Sequence, residues 1–358
     1  MARIDAIFKL VKEQGASDLH MTTGSAPMVR LHGQITPIPY EELSRELAET
    51  LMFEIMDAEI RARFEKSRDV DFSYEVPGIV RVRCNVYEQW KGLAGAFRIL
   101  PNHIPSLDQL GVPPHILKLT EFSRGLVLVT GPPGSGKSST LAAMIDHINR
   151  TQRKHILTLE DPIEYRHANK TALVTQREIG RNTPSFNQGL RAALRQDPDV
   201  ILVGELRDPE TMALAISAAA TGQLVFGTLH TMSASQTVDR ILDSFEGEKQ
   251  AQVRYMLSES LKGVLAQRLL RRKDGGGRML ALEVLVANQA VAALIRERKT
   301  FQLPSVIQTG KREGMQTMDE SLVAHVRAGN ISTEEATPHM VVREMLGTAG
   351  ADPRAKAA

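Results

Sequence analysis

The chain changes its pattern of apolar and polar positions near residue 124. Before this point, "VDFSYEV", "GIVRVRCNVYEQ" and "GLAGAFRIL" alternate apolar with polar residues, which predicts antiparallel strands with one solvated face. After it, "GLVLVTG", "HILTLE", "DVILVGE" and "QLVFGTLH" are almost continuously apolar and alternate with helical segments such as "KSSTLAAMIDHINR". Strands that are apolar on both faces predict a parallel sheet covered by helices on both sides.

The length and the loop-forming segments predict where these two architectures meet. A chain of 358 residues exceeds what a single core usually organises. We expect an amino-terminal domain over residues 1–100, a linker over 101–115 with four prolines, and a second domain over 116–346. The Ala- and Gly-rich tail, 347–358, is expected to be disordered.

Two helical predictions complete the coarse assignment. The first segment places Ile4, Ile7, Phe8 and Val11 on one face of an amphipathic helix. Residues 248–271 read as one long helix whose end carries a basic cluster, and "RMLALEVLVAN" then reads as a strand. The cluster, which complements the dipole of that helix end, consists of Arg268, Arg271, Arg272 and Lys273. Asp208 followed by Pro209 is typical of a helix start.

Composition restricts the function classes. The net charge of +2 does not indicate nucleic acid or anionic lipid as the main partner. The single cysteine, Cys84, excludes an intramolecular disulfide and a cysteine-based zinc cage, and its alternating context predicts a core position. The sequence has no signal-peptide core and no apolar stretch of about 20 residues. We therefore expect a cytoplasmic protein without direct membrane insertion.

Residues 131–138, "GPPGSGKS", fit the phosphate-binding pattern G-x-x-x-x-G-K-[ST] and stand between an apolar strand and a helical segment. Glycines at 131, 134 and 136 let the backbone curl so that N–H groups point at phosphate oxygens. Lys137 is expected to reach the β- and γ-phosphates, and Ser138 to offer its hydroxyl to Mg²⁺. The predicted cofactors are ATP and Mg²⁺, and the predicted loop residues are Gly131, Pro132, Pro133, Gly134, Ser135, Gly136, Lys137, Ser138 and Ser139.

Carboxylates follow two of the predicted parallel strands. Glu205 ends "PDVILVGE", and "HILTLEDPIEYR" supplies Glu160, Asp161 and Glu164. Because ligands sit at the carboxyl edge of such a sheet, these groups are expected near the phosphate loop. There they would hold Mg²⁺, with Ser138 and Glu205 as metal ligands partly through water, or align the attacking water. For Glu160, an ordinary strand-end charge is an equally good interpretation.

A histidine follows the third apolar strand, in "GQLVFGTLHTMSA". His230 stands where that strand leaves the sheet and could hydrogen-bond a γ-phosphate oxygen. A satisfied structural histidine is the alternative.

These motifs, in this order, resemble the type IV pilus retraction ATPases, a family of secretion-type RecA-like motors. The resemblance covers residues 1 to about 345, through "ASDLHMTTGSAPMVR", "TLEDPIEYRH", "DPDVILVGELRDPET", "GTLHTMSA" and "AVAALIRE" with "IQTGKREGMQTMDESL". It implies an α/β protein: a PAS-like α+β amino-terminal domain, then a RecA-like P-loop ATPase domain with a largely parallel sheet and a helical carboxy-terminal extension. It also implies a homohexamer with ATP bound between domains.

The resemblance also assigns residues. Arg81, Arg83 and Arg98, in "RVRCNVYEQWKGLAGAFR", match arginines that reach the nucleotide phosphates. Glu205 matches the catalytic glutamate, and Glu164 the acidic-box carboxylate nearest the nucleotide.

Four positions depart from the family pattern: Gln223, Met232, Ala292 and Ala293. The first two bear on phosphate sensing, and the two alanines on the assignment to retraction.

The predicted function is a Mg²⁺-dependent, ATP-hydrolysing motor that powers pilus retraction and twitching motility. The implied partners are an inner-membrane pilus platform protein and a paralogous motor, with the ring peripheral to the inner face of the cytoplasmic membrane. Alternatives are an extension or type II secretion motor of the same superfamily, and a poorly hydrolysing, nucleotide-gated accessory subunit. A nucleic-acid translocase is disfavoured, because the chain lacks an aromatic and basic stripe.

Overall fold

The computed structural model describes residues 2–31, 33–101 and 103–347. The chain divides into two compact units. The amino-terminal unit comprises residues up to 103 together with Glu164–Arg166, and the carboxy-terminal unit comprises 104–163 and the residues from 167 onward. The division after His103 lies inside the segment predicted as a linker.

The amino-terminal unit is an antiparallel sheet with three helices. The sheet has six strands in the order β3-β2-β1-β6-β5-β4. The strands are β1 Asp18–Thr22, β2 Met28–Leu31, β3 Gln34–Pro37, β4 Asp69–Val76, β5 Val80–Gln89 and β6 Gly92–Leu100. The helices are α1 Ile4–Glu13, α2 Arg45–Phe53 and α3 Ala58–Ser67.

The core of this unit forms where the alternating pattern predicts it. In α1 the predicted apolar face is buried, and Phe8 packs edge-on against Phe97 of β6 with ring centroids 5.4 Å apart. Cys84 of β5 is fully buried, and burial raises the pKa of its thiol, so the predicted core position is confirmed. The amino-terminal sheet thus buries one face against helices, as alternation requires.

The carboxy-terminal unit is built on a mostly parallel sheet. Its seven strands have the order β13-β12-β7-β11-β10-β8-β9, and only the β12–β13 pair is antiparallel. The strands are β7 Gly125–Thr130, β8 His155–Glu160, β9 Leu173–Glu178, β10 Val200–Val203, β11 Leu224–Leu229, β12 Leu261–Arg271 and β13 Arg278–Val286. The predicted fold class, an α/β chain with an antiparallel and then a largely parallel sheet, is confirmed.

Helices cover both faces of the parallel sheet. Along β7, Leu126 and Leu128 enter one hydrophobic cluster, whereas Val127 and Val129 enter another. The helices are α4 Lys137–Thr151, α5 Phe186–Ala193, α6 Pro209–Thr221, α7 Ala234–Asp243, α8 Gly247–Ser260, α9 Gln289–Arg296, α10 Leu303–Thr309, α11 Met318–Arg327, α12 Thr333–Ala336 and α13 Glu344–Gly347. Four 3-10 turns span Pro114–Thr120, Thr300–Gln302, Lys311–Glu313 and Thr337–His339. The predicted start of α6 is confirmed, since Asp208 caps Thr211 N.

The prediction of one long helix over 248–271 is wrong. Helix α8 ends at Ser260, and Leu261–Arg271 form β12, between β7 and β13. Leu265 and Ala266 are completely buried. A strand covered on both faces lacks the polar spacing that distinguishes it from a buried helix. The basic cluster therefore does not mark a helix end.

The described residues contain no helix that is both long and apolar enough to cross a bilayer. The predicted disordered tail lies outside the described residues, apart from the backbone of Gly347.

Candidate active site

The phosphate-loop motif occupies the turn between β7, which ends at Thr130, and α4, which begins at Lys137. Gly131, Gly134 and Gly136 have φ of 138°, 76° and 88°, in the region that side chains other than glycine rarely adopt. The loop therefore has the curled backbone that the motif predicts. It ends at the amino terminus of a helix of 15 residues, where the helix dipole attracts negative charge.

Lys137 lies over this loop. Its Nζ donates to the carbonyl oxygens of Gly131 at 2.8 Å and Pro132 at 3.1 Å, and lies 3.4 Å from Nδ1 of His230. The ammonium group therefore lies beside the loop backbone, where the ends of β7 and β11 are close together. A phosphate placed on the loop would meet this cation.

Strand β12 supports the loop from the side. Gln267 donates from Nε2 to the Ser135 carbonyl at 3.3 Å, and Arg278 of β13 donates to the Gly134 carbonyl at 3.3 Å. A Cβ on Gly131 would stand only 2.4 Å from the Gln267 carbonyl oxygen. Sequence reasoning missed this support because it assigned residues 248–271 to a helix.

Three buried polar atoms at the loop have no hydrogen-bond partner among the described residues: Thr130 Oγ1, Ser135 Oγ and Gln267 Oε1. Buried side-chain polar atoms are paired in the large majority of cases. Two of these atoms are hydroxyls able to donate to an oxyanion. Their presence beside Lys137 fits a loop built to hold a phosphate group.

Glu205 follows β10 and is held by two side chains. Its carboxylate lies 2.8 Å from the Arg207 guanidinium and 3.2 Å from Nε2 of His230. Burial raises the pKa of Glu205, but the hydrogen bond and charge of Arg207, together with His230, outweigh it and leave the pKa below its ordinary value. Glu205 is therefore ionised at neutral pH and can accept a proton or a hydrogen bond from water.

His230 joins the two halves of the site. It directly follows β11, as predicted, and its two ring nitrogens face Lys137 and Glu205. Lys137, His230, Glu205 and Arg207 thus form one continuous chain of contacts. The structure brings together the predicted loop lysine, strand-end glutamate and strand-end histidine.

Arg207 is a site residue that sequence reasoning missed. Hydrogen bonding to Glu205 raises the pKa of Arg207, and the charges of Glu205 and Asp161 add to this effect. Asp161 is exposed, and its negative charge acts on Arg207 at this edge of the sheet. The only signal in the sequence was the position of Arg207, two residues after the strand-end glutamate.

Glu160 is tied to its own strand and to β9. It accepts hydrogen bonds from Thr158 Oγ1 at 2.6 Å and Gln176 Nε2 at 3.0 Å. A Cβ on Gly204 would stand 3.3 Å from the Glu160 Cα, so the backbones of the two acidic strand ends are in close contact.

Glu164 belongs by its contacts to the amino-terminal unit. Its carbonyl oxygen accepts a hydrogen bond from Arg81 at 3.2 Å, and the neighbouring Arg166 pairs with Glu75. The expected place of the Glu164 side chain near the nucleotide stays a prediction.

The predicted phosphate-reaching arginines share one sheet. Arg83 of β5 stands directly opposite Arg98 of β6, and Arg81 lies two residues from Arg83, on the same face. Arg98 pairs with Asp18 at 3.0 Å. Arg83 and Arg98 expose 41% and 66% of their side chains, so both guanidinium groups are accessible in this unit. Their contact with a nucleotide stays a prediction.

The predicted Mg²⁺ site can be compared with the side chains at this edge of the sheet. The described residues contain no group of three or more His, Cys, Asp and Glu side chains that could hold a metal ion. Mg²⁺ on nucleotides commonly keeps waters and phosphate oxygens and uses few protein ligands. Ser138, next to Lys137 on α4, and Glu205 are the residues that fit this role.

The departures from the family pattern lie on either side of β11 and on α9. Gln223 precedes β11, whereas His230 follows it, so these residues stand at opposite ends of a strand of six residues. Met232 is 42% exposed in the segment after His230, and Ala292 and Ala293 lie on α9.

A mostly parallel sheet with a glycine-rich loop between its first strand and the next helix, and with charged residues at neighbouring strand ends, defines a P-loop nucleotide-binding protein. The model of the Type II/IV secretion system protein family matches residues 1–276. The chain belongs to that family.

Two curated relatives are similar over most of the chain. The type IV pilus retraction ATPase PilT of Pseudomonas aeruginosa is 49% identical over 324 residues, which cover 90% of this chain and 94% of the relative. A twitching motility protein of Neisseria gonorrhoeae is 51% identical over 310 residues, 87% of this chain and 83% of the relative. Among solved structures, the crystal structure of the pilus retraction motor PilT with bound ADP superposes with a TM-score of 0.90, at 45% identity, covering 97% of this chain and 99% of that one.

Proposed function

We propose that the protein is an ATP-hydrolysing motor that powers type IV pilus retraction. One observation carries the ATP-hydrolysing part of this proposal: Lys137 of the phosphate loop, His230 and the ionised Glu205 form a single chain of contacts at one edge of the sheet. A carboxylate fixed and ionised beside the loop can align an attacking water, which supports hydrolysis in addition to nucleotide binding. The names of the relatives, a pilus retraction ATPase and a twitching motility protein, support the same function.

The proposed chemistry follows from the side chains. The loop N–H groups and the start of α4 bind the β- and γ-phosphates of ATP, and Lys137 exchanges its loop carbonyls for phosphate oxygens. Glu205, held by Arg207 and His230, orients the attacking water and accepts its proton. Ser138 and, through water, Glu205 would hold Mg²⁺, which would neutralise negative charge on the phosphates.

We propose that the protein forms a homohexamer whose subunits share each nucleotide. Its phosphates would be contacted by Glu164, Arg81, Arg83 and Arg98. The exposed arginine pair of the amino-terminal sheet supports this role, because guanidinium groups keep their charge and grip two phosphate oxygens at once. Bound ATP would then favour the arrangement in which residues of both subunits contact it. Hydrolysis would remove that preference.

The hexamer is proposed to act on an inner-membrane platform protein at the inner face of the cytoplasmic membrane, together with a paralogous motor.

Deleting the gene distinguishes a retraction motor from an extension motor. A retraction motor predicts cells that keep or gain surface fibres but lose twitching. Cells without fibres would instead indicate extension and would overturn the assignment to retraction.

A further inference from the structure

A cavity in the carboxy-terminal unit lies among the turn Pro114–Thr120, the turn Lys311–Glu313 and helix α11. Its volume is about 670 Å³. Pockets for small organic molecules commonly measure about 300–1,000 Å³. The phosphate loop, the strand-end carboxylates and His230 do not line it.

Cations dominate the polar lining of this cavity. Lys118, Lys311, Arg312 and Arg327 are joined there by only two carboxylates, Glu313 and Glu320, and by His115, Gln316 and a wall of apolar residues. The carboxylates already have partners: Glu320 pairs with Lys311 at 2.5 Å, and Glu313 accepts a hydrogen bond from Asn288 at 2.5 Å.

Four cations line the cavity against two carboxylates, so its lining carries a net positive charge. Within the described ranges, Lys118, Arg312 and Arg327 form no ion pair, and all three are exposed. They come from three separate elements, so their charges converge on the cavity only through the fold. Converging unpaired cations favour binding of an anion.

The other wall of the cavity is apolar. Met315 and Val323 are buried to 3% and 6% exposure, and Ala324 and Met345 complete this side. Methionine adapts its flexible thioether to flat or irregular groups and contacts aromatic rings favourably. One side of the site therefore suits an apolar or aromatic body, and the other suits a charged group.

We propose that this cavity binds a small organic phosphate, a molecule with one phosphate group on a compact, flat organic body. A phosphate monoester carries nearly two negative charges at neutral pH and offers three acceptor oxygens. Arg312 and Arg327 can each grip two of them. The site is separate from the ATP site and does not depend on the proposed motor function.

The ligand would join two segments that are distant in sequence. A Cβ on Gly314 would stand 2.9 Å from the His115 ring, so the end of the predicted linker already touches the turn before α11. A phosphate between Lys118 and Arg312 would fix this junction further. Occupancy should therefore raise the thermal stability of the carboxy-terminal unit.

Methyl NMR of the full chain with ¹³C-labelled methionine tests the proposal, with AMP as the probe. Met315 and Met345 report on the cavity, and Met52, buried in the amino-terminal unit, is the internal control. We expect saturable shifts of the two cavity signals as AMP is added, and none at Met52. Because the readout is local, AMP on the phosphate loop does not imitate it.

Charge reversal supplies the matched comparison. Arg327→Glu should weaken AMP binding at the cavity about tenfold or more, since a charge-assisted contact is lost and a repulsive one gained. Arg153→Glu makes the same charge change at an exposed arginine outside the cavity and should leave the affinity unchanged. If Arg327→Glu lowers the thermal unfolding midpoint, Arg312→Glu replaces it.

Three results would overturn phosphate binding at this cavity, and a fourth would overturn the choice of an organic ligand. The first three are an absence of saturable shifts at Met315 and Met345, equal affinity in the Arg327 and Arg153 variants, and adenosine binding as tightly as AMP. Inorganic phosphate is the last ligand to be titrated. If it binds as tightly as AMP, the apolar wall adds nothing to the affinity, and the proposal of an organic ligand is wrong.

Discussion

Gly131 and Gly134 belong to the same phosphate loop, yet an added Cβ would meet different surroundings at each. At Gly134, where φ is 76°, no heavy atom lies within 4 Å of the new atom. At Gly131, where φ is 138°, the new atom would stand 2.4 Å from the Gln267 carbonyl oxygen and 2.7 Å from Ser135 Oγ. The two alanine variants therefore separate backbone strain from close packing against β12.

The magnitudes follow from these distances. Gly134→Ala incurs the left-handed backbone cost, about 1–2 kcal/mol. Gly131→Ala incurs a comparable strain and also displaces a carbonyl of β12, which is hydrogen-bonded between β7 and β13. Strain and overpacking together give about 3 kcal/mol or more. In a domain of 150–250 residues each kcal/mol lowers the unfolding midpoint by about 2–4 °C.

Thermal unfolding and ADP titration calorimetry of both variants check this reasoning. The midpoint should fall more for Gly131→Ala than for Gly134→Ala, and ADP affinity should follow the same order. Equal losses in the two variants would show that β12 does not support the loop, and would refute the packing argument.

Three further predictions concern single side chains. Arg207→Ala should raise the pKa of Glu205 and reduce ATPase activity. It should change the free energy of unfolding by less than about 1 kcal/mol, because the Arg207 side chain is 60% exposed. Activity restored in part by Arg207→Lys would support this, and unchanged activity in the alanine variant would refute it. Burial lowers the pKa of His167 from 6.5 to about 4, so its neutral form stabilises the fold fully above pH 6.5 and this contribution is lost as the pH falls toward 4. His167→Gln should therefore flatten the urea midpoint over that range, and an unchanged pH profile would contradict it. Arg83→Ala and Arg98→Ala should impair ATP turnover more than ADP binding. Normal steady-state turnover in both variants would show that these arginines do not act on the phosphates.

Much of the fold follows from hydrophobic patterning. The strands with one solvated face alternate, and the strands under helices are continuously apolar, so both sheets and their order along the chain are predictable. Glu205 and His230 are predictable as well, because a parallel sheet brings the carboxyl ends of its strands to one edge. In the structure their side chains are in contact, and their catalytic roles stay a prediction.

Patterning fails where burial removes polar spacing. Strand β12 is mostly buried on both faces and directly follows α8, so it extends the helical pattern of Gly247–Ser260 without a break signal. The support of Gly131 by Gln267 depends on the pairing of β12 with β7, between segments more than 130 residues apart in the chain. Arg207 lies in a loop, where no periodicity identifies the partner of a charged side chain.

The central claim is that Glu205, ionised beside His230 and Lys137, carries out ATP hydrolysis. The most direct test compares the steady-state ATPase activity of the purified protein with that of Glu205→Gln in the presence of Mg²⁺. The ATP affinity of both proteins is measured first, so that turnover is compared at equal occupancy. The claim predicts that the variant binds ATP as the unaltered protein does. Its rate of hydrolysis should be about one hundredth of the unaltered rate or lower. Equal turnover of the two proteins would contradict it.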